Sequence, residues 1–151
     1  MIRPATYADI PRIVALGHLL HDESSYRTLS FDPVKVSDFL ASLIAGAGVV
    51  FVAVRNGEVI GGMAGGCGEH WFTRDLVAFD YSVFIEPGKR HGITASKLIR
   101  AFVEWAKIRG AKQINVGITT NINVEATSRL YKYNGFQDGG VLFRMELSDG
   151  N

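Results

Sequence analysis

Cysteine occurs once in the 151 residues, at Cys67. That excludes an internal disulfide and a cysteine-rich zinc site, and it points to a reducing compartment. In its glycine-rich surroundings Cys67 reads as a small buried filler. Charge of one sign is also lacking. Sixteen Lys and Arg stand against fifteen Asp and Glu, a formal net charge of +1, so no global field recruits nucleic acid or an anionic membrane, and any anion site must be local. The longest strongly apolar stretch, VVFVAV at 49–54, falls far short of the roughly 18 residues that span a bilayer. The first residues, MIRPATYAD, show no signal-peptide hydrophobic region, and the expected location is cytoplasmic. Neither Gly-x-Gly-x-x-Gly nor the Walker pattern follows a suitable strand, which argues against a nucleotide-binding α/β protein. No repeat, low-complexity segment or linker interrupts the chain. One domain over residues 1–151 is expected, long enough to bury a substantial core without staples.

What is present alternates between two periodicities. Ile10, Ile13, Val14 and Leu20 recur at helical spacing behind Asp9 as N-cap, with Pro11 in the first turn where a missing N–H costs little. HDESSYRTLSFD at 21–32 reads as a loop, and PVKVSDFLASLIA as a second helix ended by Gly46 and Gly48. Two β-branched runs then flank Asn56-Gly57, the strongest short hairpin signature. Gly61, Gly62, Gly65 and Gly66 in the second run mark a bulge or a close backbone approach. LVAFDYSVFIE supplies a strand with Phe79, Tyr81, Val83 and Ile85 expected on one face and Ala78, Asp80, Ser82 and Phe84 on the other.

EPGKRHGITASKLIRAF at 86–102 places a short, cationic, glycine-bearing loop directly before an amphipathic helix whose apolar positions are Ala95, Leu98, Ile99, Phe102 and Ala106. The first N–H groups of a helix lack intrahelical acceptors and glycine lets an anion approach the backbone, so the loop is a candidate phosphate site. The alternative is an ordinary strand-to-helix turn with solvated charges. KQINVGIT predicts another strand, VEATSRLYKYN a fourth helix ended by Gly135, and FQDGGVLFRMEL two short strands joined at Gly139-Gly140. The order β-α-α-β-β-β-α-β-α-β-β gives an α/β (α+β) chain with a mixed sheet and helices on its faces.

The cationic loop Lys89-Arg90-His91-Gly92-Ile93-Thr94, followed later by Tyr131-Lys132-Tyr133-Asn134-Gly135-Phe136, resembles the GNAT superfamily of Gcn-related N-acetyltransferases over nearly the whole chain. That family carries Gln/Arg-x-x-Gly-x-Gly/Ala in the first place and Tyr-x-x-x-Gly-Phe in the second. Here Lys89 and Thr94 depart from the first pattern. Lysine still offers phosphate a point charge, though not the planar fork of arginine. The resemblance implies the GNAT fold: a central, mostly antiparallel mixed sheet of about six or seven strands, four flanking helices, and two parallel strands that splay at the CoA site. It also implies acetyl-CoA as co-substrate, no metal, and direct attack of a primary amine in a ternary complex. The resemblance assigns CoA contacts to Val83, Phe84, Ile85, Lys89, Arg90, His91, Gly92, Ile93, Thr94, Ala95, Asn123 and Tyr131, with the Phe84 N–H as oxyanion donor. Tyr131 matches the tyrosine that protonates or hydrogen-bonds the departing sulfur; its phenol has suitable chemistry, though its position also fits a buried helix stripe.

The general base stays open among Asp80, Glu69 and His70. Asp80 is an apolar-flanked acid, expected roughly 13 Å from Phe84 along a shared strand face and within reach through water. His18, His21, Asp22 and Glu23 lack the convergence a zinc site needs. Trp71, Phe72, Tyr26 and Phe31 either line an acceptor pocket or pack loops. The loop HDESSYRTLSFD and the segment CGEHWFTRD are expected to frame that pocket for a small-molecule or peptide amine. The alternative is a non-catalytic acyl-CoA-binding module on the same fold. Self-association into a homodimer is a further expectation.

Overall fold

The computed structural model describes residues 1–89 and 92–147. Strand β1 (Ile2–Pro4) leads into helices α1 (Ile10–Glu23) and α2 (Pro33–Ser42), with a short 3-10 turn at Ser25–Thr28 between them. Pro11 and Pro33 both sit in a first helical turn. The Asp32 carboxylate caps α2, accepting from the N–H groups of Val34 and Lys35 at 3.1 and 3.2 Å. Strands β2 (Val49–Arg55) and β3 (Glu58–Glu69) form the hairpin. Asn56 and Gly57 both take positive φ, 52° and 76°, the left-handed pair that matches the twist of the flanking strands. Strand β4 (Leu76–Ile85), helix α3 (Gly92–Ile108), strand β5 (Gln113–Asn115) and helix α4 (Val124–Tyr133) complete the order.

The sheet runs β1-β2-β3-β4-β5. Every neighbouring pair is antiparallel except β4 and β5, which are parallel and joined through α3. Helices α1 and α2 cover one face, where Ile13, Leu16, Leu40 and Leu43 pack on Val50, Val52 and Phe84. Helices α3 and α4 cover the other, where Leu98, Ile99, Phe102, Ala106 and Tyr131 pack on Ala53, Met63 and Ala78. The apolar stripe expected for α3 is the buried one, with Phe102 and Leu98 wholly inaccessible.

Two expectations are corrected. Among the described residues the sheet has five strands, not six or seven, because residues 137–147 form none. Their apolar side chains from Val141 to Leu147 find no face of the fold to bury against and stay exposed. The strand expected over 112–119 likewise shortens to Gln113–Asn115.

The second correction concerns the faces of β4. The register passes from Ala64↔Ser82 to Gly65↔Asp80, which leaves Tyr81 as an unpaired extra residue. A bulge of this kind shifts the alternation by one. Before it, Ala78 faces α3, and the bulged Tyr81 itself meets Phe39 of α2 edge-on at 4.8 Å. Beyond it, Val83 packs on the α3 side and Phe84 on the α1 side. Asp80 therefore shares its face with Ala78 and Val83, not with Phe84.

Gly65 lies opposite this bulge, and a Cβ there would run into the Phe102 ring and stand 2.6 Å from the Phe79 carbonyl oxygen. Gly65→Ala is expected to destabilise the fold by about 1–3 kcal/mol through overpacking. Gly68→Ala, whose added methyl meets nothing within 4 Å, should stay within about 0.5 kcal/mol of wild type. Urea unfolding midpoints of the two variants measure the difference.

Candidate active site

Strand β5 pairs with β4 only from Val77↔Gln113 to Phe79↔Asn115. From Asp80 onward β4 runs without it, and a cleft of about 980 Å³ opens between β4 and residues 115–120, closed behind by α3 and α4 and in front by the end of α1. The size is that of a small-molecule or cofactor site.

The direction of the strand amides follows from the ladder. The Glu86 N–H donates to the Ile60 carbonyl at 2.7 Å, and the register continues through Phe84↔Gly62. In an antiparallel pair alternate residues point both backbone groups at the partner, so the Phe84 N–H is directed at β3. The Val83 N–H is directed at the cleft. Phe84 is buried in the α1 core and does not line the cleft, whereas Val83 and Ile85 do. A strand amide available to a bound carbonyl is thus that of Val83, in place of the expected Phe84.

Asp80 lines the same cleft. Burial pushes its carboxyl up to about 6, although the N–H of Gly117 and its own N–H donate to it and pull the other way. Tyr131 projects from α4 and is 7% exposed. Burial raises its phenol, and the Asp80 charge raises it further. The two side chains thus lie within electrostatic reach, one acid poised near neutrality and one phenol that keeps its proton.

The Tyr131-to-Phe136 motif has a visible physical role. Gly135 takes φ 96°, the left-handed conformation that ends a helix, and lets the Phe136 N–H return to the Tyr131 carbonyl at 3.1 Å and the Gly135 N–H to that of Lys132. The returning Phe136 ring meets the Tyr131 ring edge-on at 5.4 Å. Asn134 then locks α4 to α3, its Oδ1 accepting from Ser96 Oγ at 3.0 Å and Arg100 Nε at 3.2 Å. Tyr133, by contrast, is 77% exposed.

The loop before α3 is held differently from the expectation. Lys89 Nζ lies 3.0 Å from Glu86 and 3.8 Å from Glu58, and Arg12 lies 3.2 Å from both acids. Lys89 and then Arg12 hold the Glu86 carboxyl below its ordinary range. Lys89 does not line the cleft. Gly92, Ala95 and Asn123 do. Ile93 and Thr94 instead border a smaller depression of about 260 Å³ beside Lys97 and the β1 end. Arg90 and His91 lie outside the described residues.

Of the alternative bases, Glu69 and His70 are exposed at the end of β3 and do not line the cleft, nor do their exposed neighbours Trp71 and Phe72. Thus CGEHWFTRD does not frame the cleft, whereas HDESSYRTLSFD does so through His21 in the last turn of α1 and through Ser24 and Tyr26 after it. Phe31 stacks on His18 at 4.7 Å. Arg129 and residues 115–120 are further walls, for which the sequence carried no expectation. No local signal marks them: Ser25 Oγ donates to the Thr119 carbonyl, 94 residues away, at 2.8 Å. Among the described residues no group of three or more His, Cys, Asp or Glu could hold a metal ion, and no helix is long and apolar enough to cross a membrane.

The family model of the acetyltransferase (GNAT) domain matches residues 46–138, which span β2 to the motif after α4. The chain belongs to the GNAT acetyltransferase family. A search of the curated proteins finds no match. Solved structures share the GNAT fold at low identity. A ribosomal-protein-alanine N-acetyltransferase from Brucella melitensis is 24% identical with a TM-score of 0.80, over 100% of this chain and 93% of that one. A transcriptional regulator from Bacillus halodurans C-125 is 21% identical with a TM-score of 0.78, over 97% and 99% of the two chains. An aminoglycoside acetyltransferase from an uncultured soil metagenomic sample is 20% identical with a TM-score of 0.71, over 98% of each.

The raised Asp80 carboxyl has a sign that stability can test. Its folded value of about 6 exceeds the ordinary 3.8, so the native state binds more protons than the unfolded state between those values, and stability falls as pH rises through that window. Asp80→Asn should therefore match wild type near pH 4 and exceed it at pH 7.5 by on the order of 1–3 kcal/mol. Denaturant unfolding at the two pH values measures this. Equal stability at both would mean that the carboxyl is not desolvated.

Proposed function

We propose that this GNAT protein, acting as one domain over residues 1–151, transfers the acetyl group of acetyl-CoA to a primary amine of a small molecule or peptide by direct attack in a ternary complex. The observation that carries the reading is the joint placement of Asp80 and Tyr131 in the cleft where β4 and β5 part. The free Cys67 thiol supports a reducing, cytoplasmic setting.

Acetyl transfer needs a neutral amine, a polarised thioester carbonyl and a stabilised leaving thiolate. The amine nitrogen forms the new bond to the carbonyl carbon, the C–S bond breaks, and one proton must leave the nitrogen. Asp80 takes that proton, directly or through water; a carboxyl raised to about 6 is ionised at neutral pH yet more basic than an ordinary aspartate. The Val83 N–H is the donor for the developing oxyanion. Tyr131 donates a hydrogen bond to the departing sulfur. A thiol titrates near 8.5 in ordinary surroundings, below the raised Tyr131 phenol, so Tyr131 stabilises the thiolate more than it surrenders its proton. In this reading the pyrophosphate binds at the amino end of α3, supported by Gly92, which lines the cleft without a side chain, and by the positive end of the helix dipole. Lys89 shapes that turn through Glu86 rather than facing the anion. The amine approaches from the side of His21, Ser24 and Tyr26, and Asp80 is the one carboxylate among the described lining residues.

CoA at about 100 times its dissociation constant should stabilise the fold by roughly 2.7 kcal/mol and raise the melting temperature by roughly 5–10 °C. Gly92→Val, where a Cβ meets nothing within 4 Å, should fold normally and lose much of that shift. No shift with millimolar CoA would remove the binding site. A full shift without thiol release across a panel of amines would leave the non-catalytic acyl-CoA-binding module.

Tyr131→Phe keeps the buried ring and removes the donor, so kcat should fall by about tenfold to 10³-fold while KM for acetyl-CoA changes little. Tyr133→Phe, on the exposed side of α4, should retain wild-type turnover. Free thiol release from acetyl-CoA on a responsive amine gives both constants, and equal turnover of the two variants would return Tyr131 to a packing role.

A further inference from the structure

Helix α1 turns two stripes toward different neighbours. Ile13 and Leu16 are buried in the core against the sheet. Gly17, Leu20 and His21, with Ser24 just past the helix end, line the cleft instead. Their spacing of three and four residues is that of one helix face. Gly17 is the anomaly on that face. It stands in the middle of the 14-residue helix, where glycine costs helix stability relative to alanine. The fold does not demand it: Gly17 is not among the glycines at positive φ, and an added Cβ would meet nothing within 4 Å. The absent side chain leaves room on the cleft side of α1, and no other part of the described chain fills that room.

One turn further along the same face, the His21 side chain is only 16% exposed. Both of its ring nitrogens are buried, and neither has a hydrogen-bond partner among the described residues. Asp22 Oδ1 stands 3.8 Å from Nδ1, beyond hydrogen-bonding reach. The Phe31 ring, centred 5.3 Å from the imidazole, offers no polar atom. Ser24 is different. Its Oγ donates to the His21 carbonyl at 3.0 Å and accepts from the Tyr26 N–H at 3.1 Å. A buried polar group left without a partner is costly, and native structures satisfy nearly all of them. His21 therefore has hydrogen-bonding capacity that the chain itself does not use.

We propose that Gly17 and His21 set the choice of acceptor: the body of the amine lies against the bare helix surface at Gly17, and an uncharged amide or hydroxyl group of the same molecule hydrogen-bonds to the His21 imidazole. The inference rests on the acetyl-transfer reading and names the class of amine. A neutral imidazole offers one donor and one acceptor, and an amide or a hydroxyl can partner either. Charge points the same way. Asp80 is the one carboxylate among the described lining residues, and Arg129 adds a positive charge to the walls. With Asp80 engaged by the reacting amine, a second cationic centre on the acceptor finds no carboxylate in the cleft and meets Arg129 instead. The class is therefore a monoamine that carries an amide or hydroxyl group, and a polyamine is rejected.

The probes are amino-acid amides, amino alcohols, hexylamine and spermidine, read by thiol release from acetyl-CoA and by melting shifts of the CoA-saturated protein. The best amide or amino alcohol should exceed hexylamine and spermidine in kcat/KM by roughly 3- to 10-fold, the worth of one neutral hydrogen bond. His21→Leu should erase that preference, and His21→Gln, which keeps a donor and an acceptor, should restore part of it. Gly17→Ala should raise the melting temperature by roughly 1–4 °C and still raise the KM of the preferred acceptor. Gly17→Leu should raise that KM by roughly tenfold or more, with the KM for acetyl-CoA and the CoA melting shift unchanged. A glycine kept only for folding would not give a more stable variant that binds its acceptor less well. A folded Gly17→Leu with wild-type KM for every amine would overturn the proposal, as would a preference for spermidine. So would a CoA-saturated protein that neither acetylates nor binds any amide or amino alcohol. A missing CoA shift would instead remove the acetyl-transfer reading, and this subsite with it.

Discussion

Strand β4 pairs with a parallel neighbour as far as Phe79 and then continues to Ile85 without it, and the rest of the site depends on that loss. A strand edge deprived of its neighbour inside a fold exposes amides that must find another acceptor or water. Here the gap is wide enough for a ligand and lined by helix faces that cannot close it. The bulge at Tyr81 acts on the same stretch. It shifts the alternation so that Asp80 and Val83, three residues apart, come to the α3–α4 face together. An unbulged strand would have put one of them on the α1 side. The glycines of β3 permit this, since Gly65 passes so close to Phe102 that no side chain fits.

Electrostatics divides the site into two regions. In the interior, burial raises the proton affinity of both Asp80 and Tyr131, and the Asp80 charge raises that of the Tyr131 phenol further. The Gly117 N–H keeps Asp80 from rising further and so holds it in the range where it exchanges protons at neutral pH. At the end of β4 the opposite holds. Arg12, Glu58, Glu86 and Lys89 are partly exposed and alternate in sign. Pairs of this kind contribute little stability one by one, yet together they tie α1, β3 and the start of the loop before α3. Lys89, which stands where the family's motif has glutamine or arginine, belongs to that network.

Much of the architecture was legible from local pattern. The Asn56-Gly57 hairpin, the α3 stripe from Ala95 to Ala106 and the stop at Gly135 are written in residues a few positions apart, where turn chemistry and helical spacing act directly. Tyr131 was legible for the same reason, because Gly135 and Phe136 shape the turn that holds it. The faces of β4 were not legible. A bulge is a property of a strand pair, and the period of LVAFDYSVFIE by itself conceals which residue β3 leaves unpaired. Phe84 was misplaced on that account.

The sequence by itself determined the α/β class, the family resemblance and the position of each helix, since propensity, capping and motif spacing are short-range. Only the tertiary structure decided that β5 leaves β4 after Phe79, that Val83 rather than Phe84 directs its amide into the gap, and that Ser25 bonds to Thr119 and Thr120 across nearly a hundred positions. It also decided that Lys89 faces acids and that the last apolar run lies bare. Each of those outcomes depends on which surfaces compete for the same partner once the chain is compact, and a local window carries no information on that competition.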